Sequence, residues 1–159
     1  LTDYRQKFTR WGLIKFSDIQ TFAEKIIKKF GVKASGANAE ARSLSGGNLQ
    51  KFIVGREILQ NPKFLIVAQP TWGVDVGASM FIRQTLIDLS RQGVGILVIS
   101  EELEELFEMS DRICVLANGE LSNPVPTQQT NAESIGLLMS GIQRHEATST
   151  TAEEQHAHA

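Results

Sequence analysis

Leu44-Ser45-Gly46-Gly47-Asn48-Leu49-Gln50-Lys51 places a serine and two adjacent glycines directly ahead of a segment able to continue as a helix. Glycines remove the side chains that keep a phosphate away from backbone N–H groups. The following helix points its unpaired N–H groups and the positive end of its dipole at the same spot. Ser45 adds a hydroxyl donor. The stretch has the chemistry of a surface that grips a terminal phosphate. The plainer alternative is a loop punctuated by glycine before an ordinary helix.

Working upstream, Ser17-x-x-Gln20 has the capping-box spacing, and Ile19, Phe22, Ala23, Ile26, Ile27 and Phe30 repeat as one helical stripe. Gly31 is placed to end that helix. Residues Val32 to Arg42 are small and polar, a loop feeding the serine-glycine stretch. Ahead of the helix, Tyr4, Phe8, Trp11 and Phe16 alternate with Arg5, Lys7, Arg10 and Lys15, which predicts an irregular surface segment. Basic and aromatic interleaving can bind single-stranded nucleic acid. Here the run is short and the whole chain carries a net charge of -2, so no nucleic-acid partner is expected.

Downstream, the helix is expected to run to about Gln60, with Leu49, Phe52 and Ile53 as its apolar face and Asn61-Pro62 as its stop. Phe64 to Ala68 is a continuous apolar run, predicted as a central parallel strand buried on both faces. Gln69-Pro70-Thr71-Trp72-Gly73 comes next, at the end of the strand where open α/β sheets bind ligands. Ala78, Phe81, Ile82, Leu86 and Leu89 mark a helix over Ala78 to Gln92, and Gly95 to Ile99 reads as a second buried strand. Strand, helix and strand at this spacing form a βαβ unit. A short acidic helix is expected over Glu101 to Met109, then a strand over Arg112 to Ala117. The hairpin signal Asn118-Gly119 leads to Glu120-Leu121. Thr130-x-x-Glu133 is placed to cap a last helix to about Ile142. Residues 143–159 are Ala, Thr, Glu and His in the main, and predict a disordered tail. His156 and His158 in that tail are too isolated to be read as a metal site.

Of 159 residues, 42% are hydrophobic and 21% charged, the balance of one globular domain. The single cysteine, Cys114, excludes an internal disulfide and reads as a small core residue in a reducing compartment. No apolar run has the length of a membrane span and no signal peptide is visible. Leu1 is not methionine, as expected of a chain that starts inside a longer protein.

From Leu44 onward the chain resembles, motif by motif and in order, the ABC transporter ATPases, in the form seen in nucleoside and simple-sugar importers. Leu-Ser-Gly-Gly-Asn-x-Gln-Lys resembles the signature. After it come a strand, Pro70-Thr71-Trp72-Gly73-Val74-Asp75-Val76-Gly77-Ala78, a strand, Ser100-Glu101-Glu102-Leu103, a strand and Asn118-Gly119. The resemblance implies an α/β fold, part of a P-loop NTPase domain with a mostly parallel sheet, flanking helices and a helical signature subdomain. It implies a helical subdomain over residues 1–60 and the later part of the ATPase core over 61–142.

By the same resemblance, Ser45, Gly46, Gly47 and Asn48 are the signature residues that close over ATP held by a partner half. Asp75 matches the acidic residue of the D-loop. Glu101 stands where most members carry the switch histidine. The chain departs from the family pattern in two further ways. The 159 residues contain no Gly-x-x-x-x-Gly-Lys-[Ser/Thr] phosphate loop. The Walker B strand, which in the family ends Asp-Glu-Pro, ends here Ala68-Gln69-Pro70. A methyl group at Ala68 cannot help hold Mg²⁺, and Gln69 can orient water but is not a base.

The resemblance therefore implies an ATPase component with a sound signature and a poor catalytic centre, inactive by itself, with ATP and Mg²⁺ held mainly by the partner half. The implied partners are a first nucleotide-binding domain, membrane permease subunits and, indirectly, a substrate receptor, at the cytoplasmic face of the membrane. One other reading stays open, a non-catalytic ABC-like binding module. An SMC or Rad50-type head is the weaker alternative: it predicts a long heptad segment ahead of the signature and an intact Walker B, whereas the expected helix ahead of Leu44 is short and the strand ends Ala68-Gln69-Pro70.

Overall fold

A tight turn at Trp11-Gly12 opens the part of the chain that the computed structural model describes, residues 8–141. β1 (Thr9–Arg10) and β2 (Leu13–Ile14) pair antiparallel across it. Both turn residues are left-handed, at φ 56 and 77, which matches the twist of a two-residue hairpin. Over residues 9–14 this hairpin stands in place of the irregular segment expected from sequence; residues 1–7 of that segment lie outside the described residues. The described residues divide into two compact units, one ending at Glu101 and the other starting at Glu102.

In the first unit, α1 spans Phe16–Lys29. The capping box expected at Ser17 and Gln20 does not form. Lys15 is the N-cap, without a side-chain cap bond, because the hairpin delivers the chain earlier: the Lys15 N–H donates to the Phe8 carbonyl at 2.8 Å. Ser17 lies inside the helix, where its hydroxyl reaches Asp18 Oδ1 at 3.4 Å. The stop at Gly31 is as the sequence predicts. Gly31 is left-handed at φ 60, and the Val32 N–H donates to the Ile27 carbonyl at 3.0 Å, the Schellman closure.

A short 3-10 turn, Ala41–Ser43, leads into α2, Gly46–Ile58. The expected apolar face of Leu49, Phe52 and Ile53 is only half-buried. The buried positions are Gly47, Val54, Gly55 and Ile58. Gly55 draws α2 close to the end of α1, since a Cβ there would lie 2.5 Å from the Phe30 ring. Phe30 in turn meets Phe81 edge-on, with centroids 6.4 Å apart. Lys51 Nζ sits over the same Phe81 ring, 5.0 Å from its centre.

β3 (Phe64–Ala68) and β4 (Gly95–Ile99) pair parallel, Phe64 opposite Gly95 and Ala68 opposite Ile99. They flank α3 (Val76–Arg91), whose buried stripe is Ala78, Ile82, Leu86 and Leu89. Helix α3 starts two residues earlier than its apolar period suggests because Asp75 caps it. The strands are not buried on both faces. Side chains alternate across the sheet, and Leu65 is buried while Phe64, Ile66, Leu97 and Ile99 on the opposite face are 57%, 59%, 42% and 52% exposed. An apolar patch of this kind seeks cover. The isolated chain is expected to bind a hydrophobic dye and to self-associate. Ile66→Ser with Leu97→Ser should lower both without loss of helix signal, checked by dye fluorescence, light scattering and circular dichroism.

The second unit holds α4 (Leu103–Met109), four two-residue strands and α5 (Ala132–Ser140). The single strand expected over Arg112 to Ala117 is two pieces that serve different partners. β5 (Arg112–Ile113) pairs with β8 (Val125–Pro126), and β6 (Leu116–Ala117) pairs with β7 (Glu120–Leu121), all antiparallel. Between them Val115 bonds to Ser122 instead, its N–H donating to Oγ at 2.9 Å. Asn118 and Gly119 are both left-handed, as their hairpin requires. Ile113, Val115 and Ile135 form the core, and Leu106, Phe107 and Leu138 pack on it. The strand alternation that buries Ile113 and Val115 turns Cys114 outward, so it is exposed and not a core residue. The last helix is capped by Asn131, whose side chain accepts from the Ser134 N–H at 2.8 Å, one residue past the expected Thr130. The predicted tail, with His156 and His158, lies outside the described residues.

Candidate functional site

The turn from Ser43 into α2 brings the serine-glycine stretch to the surface. Ser45 is the N-cap of α2 and is exposed. N-cap serines usually turn the hydroxyl back onto a first-turn N–H. Ser45 does not: its side chain makes no cap bond. It accepts instead from Asn48 Nδ2 at 2.8 Å. The first intrahelical bond runs from the Leu49 N–H to the Ser45 carbonyl at 2.9 Å. The N–H groups of Gly46, Gly47 and Asn48 thus stand at the open end of the helix, beside a serine hydroxyl. Unpaired N–H groups and a dipole end make a locus that favours an anion.

The two glycines are the first two helical residues, not a loop ahead of the helix. A second reason for them lies within the chain. A Cβ on Gly46 would come 3.0 Å from the Gly73 carbonyl oxygen. A Cβ on Gly47 would come 2.9 Å from the Ala78 Cβ and 3.0 Å from Asp75 Oδ2. Bare backbone here lets α2 rest against the segment that starts α3, and so brings Asp75 beside the serine-glycine turn.

Asp75 is exposed and has a local task. Its Oδ1 accepts from the Ala78 N–H at 2.9 Å and caps α3. Asp75→Ala is expected to lower the stability of the first unit by about 1 kcal/mol, the usual worth of an N-cap, and Asp75→Asn to cost little. Urea unfolding of the two variants checks this. Equal stability in all three proteins would remove the cap from Asp75's duties.

At the C-terminal ends of β3 and β4 the other candidates gather. Gln69 follows Ala68 in a left-handed conformation, φ 48. For a residue with a Cβ this costs roughly 1–2 kcal/mol. Two bonds hold it there: the Gln69 N–H donates to the Ile99 carbonyl at 2.7 Å, and the Gln69 carbonyl accepts from the Trp72 N–H at 3.2 Å. Trp72 is exposed, as is Glu101, two residues past β4. The register Ala68 opposite Ile99 sets Gln69 and Glu101 at the same end of the sheet. The groups at the end of β3 are a methyl and an amide. This donor set does not fit Mg²⁺, which asks for carboxylate oxygen.

The sequence reading missed Lys33, whose backbone N–H donates to Asn48 Oδ1 at 2.8 Å. It also missed the Gly55–Phe30 contact. The only trace in the sequence is a glycine inside a helical pattern, which points to close packing when it is retained at a cost.

The chain is similar in sequence and fold to proteins already known. The nucleoside import ATP-binding protein NupA of Lactococcus lactis is 41% identical over 140 residues, 88% of this chain and 28% of that protein. The guanosine import ATP-binding protein NupO of Bacillus subtilis is 40% identical over 144 residues, 91% of this chain and 28% of that protein. The dimeric structure of a bacterial ABC transporter cassette superposes with a TM-score of 0.62 at 23% identity, over 76% of this chain and 52% of that one. The chain belongs with the ABC ATP-binding cassettes, of which it carries a part. No family model matches it. The chain spans 28% of the length of each of these two import proteins. Among the described residues of this cassette part, no helix is long and apolar enough to cross a membrane.

Proposed function

We propose that this chain is the later part of the ATP-binding protein of an ABC importer, and that its signature, Leu44 to Lys51, closes over ATP held by a partner half. Residues 1–60 then act as the helical signature subdomain and 61–142 as the closing part of the ATPase core. The observation that carries the reading is the start of α2. Ser45 is exposed with its hydroxyl unspent on capping, beside the open N–H groups of Gly46 and Gly47.

In this reading Ser45 O–H and the Gly46 and Gly47 N–H groups donate to the terminal phosphate of ATP only when the two halves close. Binding energy is thereby tied to closure. As negative charge moves during phosphoryl transfer, the same donors stabilise it without reorganising. Asp75, beside Gly47, is read as the residue that communicates between the two sites when the halves close. The chain's own Walker B end is poor: Gln69 can orient water but not accept its proton, and Glu101 replaces the switch histidine. ATP turnover belongs to the site built on the partner half, which also holds Mg²⁺. The names of the two relatives support a nucleoside as the cargo, and the resemblance of the motifs leaves a simple sugar as the other choice; the cargo would be passed through permease subunits at the cytoplasmic face and presented by a separate receptor.

The test is ATP binding by the chain alone and by the complete ATP-binding protein. The chain alone is expected to bind ATP more weakly than about 1 mM. Saturable micromolar binding by the 159 residues would sink the proposal that its nucleotide is held by a partner.

A further inference from the structure

Asn48 makes two hydrogen bonds, and the first dictates the second. Its Oδ1 accepts from the backbone N–H of Lys33, in the loop after α1, at 2.8 Å. Its Nδ2 donates to Ser45 Oγ at 2.8 Å. An amide side chain has an acceptor end and a donor end. With the oxygen committed to Lys33, only the NH₂ end is left to face Ser45. That end offers no acceptor, so the Ser45 proton cannot point back at Asn48. Nor is Ser45 Oγ used to cap α2. The hydroxyl is held as an acceptor on one side, with its own proton directed away from Asn48 at an exposed surface.

We infer that Asn48 is a positioning residue: it sets the direction of the Ser45 O–H so that the proton is already aimed at the phosphoryl group when the halves close. The inference rests on the signature reading above, and it assigns Asn48 a role through Ser45 in place of a contact with ATP. A freely turning hydroxyl must be oriented when the phosphate arrives, whereas a preorganised donor stabilises the transition state without that reorganisation. Accepting from Nδ2 also polarises the O–H and strengthens its donation. An aspartate of the same shape would do the reverse. It would still accept from Lys33, but its second oxygen would draw the Ser45 proton inward.

The experiment uses the complete ATP-binding protein with its permease. It compares Asn48→Asp, Asn48→Ala, Ser45→Ala and the Asn48→Ala/Ser45→Ala double variant, with kcat and KM for ATP measured separately. Asn48→Asp keeps the acceptor for Lys33 and the fold, and so remains informative if Asn48→Ala unfolds. Both Asn48 variants are expected to lose about tenfold in kcat, a fraction of the loss from deleting such a donor outright. For Asn48→Ala the KM for ATP should stay within about threefold of wild type. The double variant should be no slower than Ser45→Ala. If Asn48→Asp retains wild-type kcat while Asn48→Ala does not, Asn48 is a loop tie only and the inference is overturned. Losses that multiply in the double variant overturn it too. If Ser45→Ala alone leaves kcat untouched, the signature reading fails as well, which separates the two failures.

Discussion

Ser45→Arg is expected to lower ATP turnover by the complete ATP-binding protein at least about 100-fold, the scale on which a preorganised donor acts. The substitution removes the O–H donor and puts a long side chain at the mouth of α2, where the phosphate must approach the Gly46 and Gly47 N–H groups. It also takes away the acceptor that Asn48 Nδ2 now uses. Stability should change little, because Ser45 is exposed and its side chain does not cap the helix. Gln69→Ala, by contrast, should leave turnover within about twofold, since an amide is no general base. Steady-state hydrolysis of ATP by the reconstituted importer checks both. Comparable losses from the two substitutions would mean that both composite sites turn over, against the proposal of one productive site.

Gly55→Ala should unfold the first unit about 10 °C earlier. The added Cβ would sit 2.5, 2.8 and 2.9 Å from three carbons of the Phe30 ring. The ring is buried and has Phe81 edge-on against it, so it cannot retreat without disturbing α3. Overpacking of this kind costs about 3 kcal/mol. The gain in helix propensity from glycine to alanine returns about 1 kcal/mol. A net loss of about 2 kcal/mol in a unit of this size gives the stated shift. Thermal melts followed by circular dichroism read it. The same substitution in a Phe30→Leu background should cost less than half as much, because the smaller side chain leaves room. An unchanged melting temperature in Gly55→Ala would show that the ring moves aside freely.

Local codes carried well from sequence to structure. The bounds of β3 and β4 agree to the residue, since short apolar runs between turn signals leave little choice. Gly31 and Gly119 adopt the left-handed conformations that their places as stop and turn require. Helix caps carried less well. Ser17 and Thr130 both had the right chemistry and spacing, yet Lys15 and Asn131 hold the positions. A cap is chosen by where the chain enters the helix, and the β1–β2 hairpin moves that entry for α1.

At the candidate site, residue types and their order in the chain were enough to propose Ser45, Gly46 and Gly47 as phosphate-gripping chemistry, and the order of motifs was enough to suggest the ABC cassettes and, through that resemblance, to add Asn48. These depend on covalent neighbours: adjacent glycines, a hydroxyl and a helix start are local facts. Contacts between distant residues were not legible. Asn48 is tied to Lys33, fifteen positions away, and so fixes the Ser45 hydroxyl. Gly47 rests on Ala78 and Asp75, and Gly55 on Phe30. One face of β3 and β4 is open although their composition promised burial on both. Each of these is settled by which surfaces meet in three dimensions, and a hydrophobic run has the same spelling whether or not a second layer covers it.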